Sequence, residues 1–186
     1  MDQKQIQTLI WQSQQQDSHA FGELVTEFQM PVFRFSFKLV CNYDEAQDIT
    51  QETFIRAWTH ISDYTPKCKF STWLYKITAN LCYDLLRMRK REITCHQTED
   101  MMSKPPDLLS EENPENTVIN QELIHIIGLL TEELTPKQKL VFTLRELEGL
   151  EAEEITVITG LDAARIKSNL YLARKYIQGR MKKINV

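Results

Sequence analysis

Three of the chain's six prolines, Pro105, Pro106 and Pro114, fall within one polar stretch from about Thr94 to Thr117, rich in Ser, Asp, Glu and Asn. Proline removes a backbone donor and turns the residue before it away from helical geometry, so no continuous helix crosses such a segment. The 186 residues are therefore read as an N-terminal domain at 1–93, an acidic flexible linker at 94–118 and a C-terminal domain at 119–186. Each flank is under ~100 residues and buries only a modest share of its surface, so each is marginally stable alone.

Both flanks read as helical. Only five glycines occur, and no sustained alternation of β-branched residues is present, so the fold class is all-α: two small helical domains joined by a linker. Asp17 or Ser18 caps a helix carrying Phe21, Leu24, Val25 and Phe28, and Pro31 is expected to start the next one. Asn42 or Asp44 caps a third helix with Ala46, Ile49, Thr53, Phe54, Ala57 and Ile61 on one side. Its other side holds Asp48, Gln51, Glu52, Ile55, Arg56 and Thr59.

A fourth helix, from about Ser71 to Arg91, sets Phe70, Leu74, Ile77, Leu81, Leu85 and Met88 in an apolar stripe against Lys76, Asn80, Tyr83, Arg87 and Lys90. An ordinary solvated face explains a lone run of lysines. An amide and an aromatic among the cations add the means to hydrogen-bond or stack bases, as single-strand binding demands. Net charge is −4, from 22 basic and 26 acidic residues, which argues against a general nucleic-acid coat. That average hides two basic poles, Arg87–Arg91 and the C-terminal end. Between them, Pro105 to Thr135 holds seven acidic residues and no Lys or Arg.

In the C-terminal domain, Thr135, Pro136 and Gln138 make a capping box that opens a helix over 136–147. A short helix over about 151–159 ends at Gly160, and a longer basic one runs from Ala163 to about Met181, with Ile155, Ile158, Leu161, Ile166, Leu170, Ala173 and Ile177 toward the core. Helix, glycine turn and basic helix form a helix-turn-helix pattern, although periodicity alone fits a plain helical hairpin equally well.

Little supports catalysis. No phosphate-cradling glycine loop occurs, and the four histidines and four cysteines (Cys41, Cys68, Cys82, Cys95) lack metal-ligand spacing, so no metal, cofactor or small-molecule substrate is expected and the cysteines read as reduced. With no apolar run of bilayer length and no basic, apolar leader, membrane insertion is not expected and the cytoplasm is the default compartment. Three readings are open: a DNA-binding subunit that works docked on a larger partner, a stand-alone dimeric helix-turn-helix regulator, and a small helical enzyme or adaptor. A polar face around Asp48–Ile55 suits docking better than self-association.

DITQETFIRAW (48–58), FSTWLYKITANLCYDLLRMRKR (70–91), LTPKQKLVFTLRELEGLEAEEI and IKSNLYLAR resemble regions 2 and 4 of the extracytoplasmic-function (ECF) sigma factors of bacterial RNA polymerase. The resemblance spans nearly the whole chain, including the order of motifs and the connector. It implies that Asp48, Gln51, Glu52 and Ile55 dock on the clamp helices of the polymerase's largest subunit, and that helix 136–147 and the segment near Leu150 meet the flap. It implies that the Ser62–Lys69 loop and the fourth helix open the minus-ten element, with Tyr64 and Lys67 at a base pocket, Asn80 and Tyr83 beside bases, and Lys76, Arg87, Arg89, Lys90 and Arg91 on phosphates. It further implies that Arg165, Lys167, Ser168, Asn169, Tyr171, Arg174 and Lys175 meet the minus-thirty-five element, and that an anti-sigma factor binds the chain. Asn169 and Leu172 stand where arginine is common in the family. From charge alone, the acidic segment is a candidate to fold against a basic pole and lower DNA affinity.

Overall fold

The computed structural model describes residues 1–96 and 126–184, and among them all regular structure is helical. The chain runs through α1 (Gln3–Gln14), α2 (Ser18–Val40), α3 (Tyr43–Thr59), a single 3₁₀ turn at Ile61–Asp63 and the long α4 (Phe70–His96). After a helical stretch at 126–131 come α5 (Pro136–Phe142), a π-helical turn at Thr143–Leu147, α6 (Ala152–Thr159) and α7 (Ala163–Ile184). The expected linker at 94–118 lies almost wholly outside the described residues.

Polar residues set the boundaries. Asp2 and Gln5 form a capping box on α1, the Asp17 carboxylate accepts from the His19 and Ala20 amides, and Asn42 caps α3 through the Glu45 amide. Pro31, expected to begin a helix, lies inside α2 instead. Pro31 itself is exposed at the edge of the buried face, and Leu24 before it with Val32, Phe35 and Leu39 after it are fully buried, which anchors the helix on both sides of the proline and holds its two halves in line. On α4 the buried line is Phe70, Leu74, Thr78 and Cys82, and the Thr53 hydroxyl donates to Thr78 Oγ1 at 3.2 Å. Met88, expected in the apolar stripe, is 55% exposed. It shares Phe70's bearing but lies about 27 Å further along the axis, at 1.5 Å per residue, past the helices that cover the first turns.

The C-terminal helices do not stand apart from the N-terminal ones. Phe35, Leu39, Val40, Ala79 and Cys82 form one buried cluster with Leu140, Val141, Leu144, Ile155, Ile158 and Ile166, so the two halves share a core. A second cluster, including Leu24, Phe54, Ile61, Tyr64 and Leu74, belongs to the N-terminal half alone. Polar contacts rim the shared seam. Lys38 Nζ lies 2.7 Å from Glu148 Oε1, the Tyr75 hydroxyl donates to Glu148 Oε2 at 3.2 Å, and Lys69 Nζ bonds Glu154 Oε1 at 3.0 Å. Lys139, although charged, is buried with its ammonium 3.6 Å from Cys41 Sγ. The helix expected over 136–147 is α-helical only to Phe142. It then widens, the Glu148 amide bonding the Thr143 carbonyl five residues back, and this turn carries the Glu148 carboxylate to Lys38 and Tyr75. Gly149 and Gly160, both at φ +68°, make the following turns where a side chain would be strained.

The seam has a chemical probe. Cys82 is fully buried against it, and burial pushes its thiol up to about 12. Iodoacetamide at neutral pH is expected to label the half-exposed Cys41 and Cys68 well before Cys82. Glu148→Ala, which removes the carboxylate that Lys38 and Tyr75 share, should speed labelling of Cys82 roughly tenfold, about 1.4 kcal/mol of opening. Peptide mass spectrometry over time checks both, and unchanged labelling in the variant would show that Glu148 does not hold the seam.

Candidate nucleic-acid interface

Three surfaces collect the residues singled out in the sequence. On α3, Ala46, Ile49, Thr53 and Ala57 are buried, which turns Asp48, Gln51 and Ile55 outward. Glu52, half-buried, is held by Arg56 Nε at 2.6 Å, and Ile55, one turn beyond Glu52, stands 61% exposed. An exposed aliphatic residue ringed by polar groups is suited to a partner's pocket.

The second surface is the 3₁₀ turn, the loop after it and the outer face of α4. Gln14 of α1 donates its side-chain amide to the carbonyls of Ile61 at 3.1 Å and Tyr64 at 2.9 Å, which fixes the loop from outside its own sequence. Tyr64, expected at the base pocket, is buried beneath the loop. Its hydroxyl donates to the Cys68 carbonyl at 2.8 Å, and its ring packs edge-on to Phe70 and Trp73. Burial raises its pKa, so the phenol stays a donor. Lys67 remains exposed on the rim of a cleft of about 630 Å³ that Tyr64, Lys67 and Lys69 share with α1 and with Glu153, Glu154 and Val157 of α6. The Lys69 bond holds the Glu154 carboxyl below its ordinary pKa, so an acid of the C-terminal half sits against this loop.

Along α4, Lys76, Asn80, Arg87, Lys90 and Arg91 are exposed and Tyr83 is half-buried, which leaves a basic track with an amide and an aromatic within it. Arg89 is different. Its guanidinium turns inward to the Val40 carbonyl at 2.9 Å and pairs with the Glu45 carboxylate, tying α4 to the end of α2 and the start of α3. In the free chain it therefore braces the track.

The third surface is α7, where Ile166, Ala173 and Ile177 face the core and Arg165, Lys167, Ser168, Tyr171, Arg174 and Lys175 face outward. Seven cations and no acid occur over Ala163–Ile184. Several polar groups here have internal partners: Arg174 bonds Glu146 at 2.6 Å, Arg165 lies 3.5 Å from Asp162, and the half-buried Asn169 donates to the Arg165 carbonyl at 2.8 Å. Arg180 pairs with Glu132 at 3.6 Å and Glu133 at 3.7 Å, the part of the acidic stretch that lies within the described residues. The remaining acids of that stretch fall outside them, as does any fold of it onto a basic pole.

Sequence reasoning missed Gln14, Lys69 and the two seam acids. Gln14 gave no signal, because its role depends on chain 47 to 50 residues away. Lys69 and Glu154 were visible only as ordinary charges.

Among the described residues no helix is long and apolar enough to cross a membrane. The family profile "Sigma-70 region 2" matches residues 24–92, and "Sigma-70, region 4" matches residues 124–177. The chain is 30% identical over 182 residues to the ECF RNA polymerase sigma-E factor of Haemophilus influenzae, covering 94% of this chain and 94% of that protein. It is 28% identical over 181 residues to the ECF RNA polymerase sigma factor SigW of Bacillus subtilis, covering 95% and 97%. In fold it is similar to CnrH, solved in complex with the cytosolic domain of CnrY, with a TM-score of 0.71 at 18% identity over 96% of this chain and 98% of that one.

Proposed function

This chain belongs to the sigma-70 family, within its extracytoplasmic-function group, and from that premise we propose how its three surfaces divide the work. It is an ECF sigma factor, which binds core RNA polymerase and directs promoter-specific initiation. The observation that carries this reading is that both region profiles match, in order, within relatives aligned over 94–95% of the chain.

Residues 1–93 serve as the region 2 module and 119–186 as the region 4 module. Asp48, Gln51, Glu52 and Ile55 dock on the clamp helices, supported by the exposed aliphatic group set among acids. Lys67 from the loop, with Lys76, Asn80, Tyr83, Arg87, Lys90 and Arg91, holds the displaced strand at the minus-ten element, supported by the alignment of the last six on one face of α4. Tyr64 shapes that pocket from beneath and Arg89 braces it, since both are internally bonded. Arg165, Lys167, Ser168, Asn169, Tyr171, Arg174 and Lys175 meet the minus-thirty-five element, and α5 with the turn near Leu150 meets the flap. The chain adds affinity and placement, while bond-making belongs to the polymerase. Its workplace is the cytoplasm with that enzyme, and an anti-sigma factor completes its partners.

The direct experiment adds the purified full chain to core polymerase and asks for co-elution and for transcripts that core alone does not start. Failure of either overturns the reading. Arg87→Ala with Lys90→Ala should then weaken open-complex formation on every responsive promoter and flatten the salt slope by about two units, at ~0.7–0.9 per phosphate contact. An unaltered slope would remove these two residues from the strand track.

A further inference from the structure

The outermost line of α7 sets small and apolar groups beside two hydroxyls. Ala164, Ser168 and Leu172 recur at every fourth position, diametrically away from the buried Ile166, Ala173 and Ile177, and Tyr171 stands beside them. Tyr171 is 64% exposed and Leu172 46%, a large apolar area for a helix so rich in cations. Lys167 and Lys175 flank the line on the exposed surface, and α7 carries no acid at all. A solvated face explains the lysines but not an aromatic and a leucine held out among them. A strongly cationic helix with an apolar centre line fits a polyanion whose inner surface carries apolar groups. The major groove of A·T-containing duplex DNA is such a surface, because thymine presents its C5-methyl there.

Three groups that could read bases by hydrogen bonds have partners within the chain. Asn169 donates to the Arg165 carbonyl, Arg165 lies against Asp162, and Arg174 is bonded to Glu146. Resting on the reading that α7 enters the major groove, we propose that Ala164, Ser168, Tyr171 and Leu172 select the upstream promoter element by contact with thymine methyl groups. Lys167 and Lys175 hold the flanking phosphates. From Ala164 to Leu172 the line spans about 12 Å of helix axis, at 1.5 Å per residue, enough to meet three successive base pairs.

Deoxyuridine tests this, since it removes the methyl and keeps every hydrogen-bonding group of thymine. Full chain bound to core polymerase would first select active promoters from a linear library randomised over the upstream element. Each thymine of the selected element would then be replaced by deoxyuridine in turn and run-off transcripts measured. One or two positions should lose about fourfold each, the worth of one buried methyl-sized group. Leu172→Ala or Tyr171→Ala should erase that sensitivity at its own position while keeping it elsewhere. A selected element made only of G·C pairs, or one indifferent to deoxyuridine throughout, would overturn the proposal while leaving sigma activity intact. If the library yields no transcript at all, the sigma reading fails, and this inference fails with it.

Discussion

Ile55→Asp is expected to cut the affinity of the full chain for core polymerase about a hundredfold, on the order of 3 kcal/mol, and to leave the fold unchanged. The side chain is 61% exposed and belongs to neither buried cluster, so its loss costs the isolated chain no more than an ordinary surface substitution, within about 0.5 kcal/mol. Against a partner the change is of another kind. An apolar anchor is lost and a carboxylate is buried in its place, one turn beyond Glu52 and two beyond Asp48, where three acids must be desolvated together. Co-elution with core polymerase measures the first effect and thermal melting the second. Ile55→Val should restore binding to near the parent level. Equal co-elution of the aspartate variant would take α3 out of the docking surface.

Phe35→Ala should be the most damaging single truncation, costing about 3–5 kcal/mol and lowering the midpoint of thermal unfolding by roughly 10 °C. Phe35 is fully buried in the cluster that joins the two halves, its ring stacked on Tyr75 at 4.5 Å between centroids and 18° between planes. Tyr75 in turn bonds Glu148, and burial together with that carboxylate pushes its pKa well up. Truncating Phe35 therefore removes packing from α2 and the support beneath a seam hydrogen bond at once. Circular dichroism melts would show the shift, and Phe35→Leu should lose well under half as much. A shift below about 3 °C would mean that the cluster collapses to fill the space.

The local features of this fold were legible because their causes are local. Thr135 with Gln138, Gly160 after a short helix, and the three-and-four spacing of Ile155, Ile158, Ile166 and Ala173 each act within one or two turns, and each appears where the sequence puts it. Pro31 misled for the opposite reason. Proline ends helices by default, and the burial of Leu24 before it and of Val32, Phe35 and Leu39 after it, a tertiary effect, carries this helix through it. The joining of the halves was likewise invisible, since Lys38 meets Glu148 across 110 residues. Composition drew attention to the acidic stretch between the basic poles, whereas among the described residues Glu148, just before the helix-turn-helix, and Glu154, in its first helix, bond to the front half. For the candidate surfaces, residue type named the basic track correctly as exposed. It could not tell Arg89, which points inward, from Arg87, which points out, because the difference is set by Glu45 on another helix.

The loop between α3 and α4 carries a thermodynamic consequence. Two hydrogen bonds from Gln14 and one from Tyr64 already hold its backbone in shape before anything is bound. Ordering a residue costs roughly 1–2 kcal/mol of conformational entropy, and here that cost is met when the protein folds. Whatever the loop grips meets a rigid die rather than a segment that must set on contact. Its association should then show the small heat-capacity change of a preformed surface.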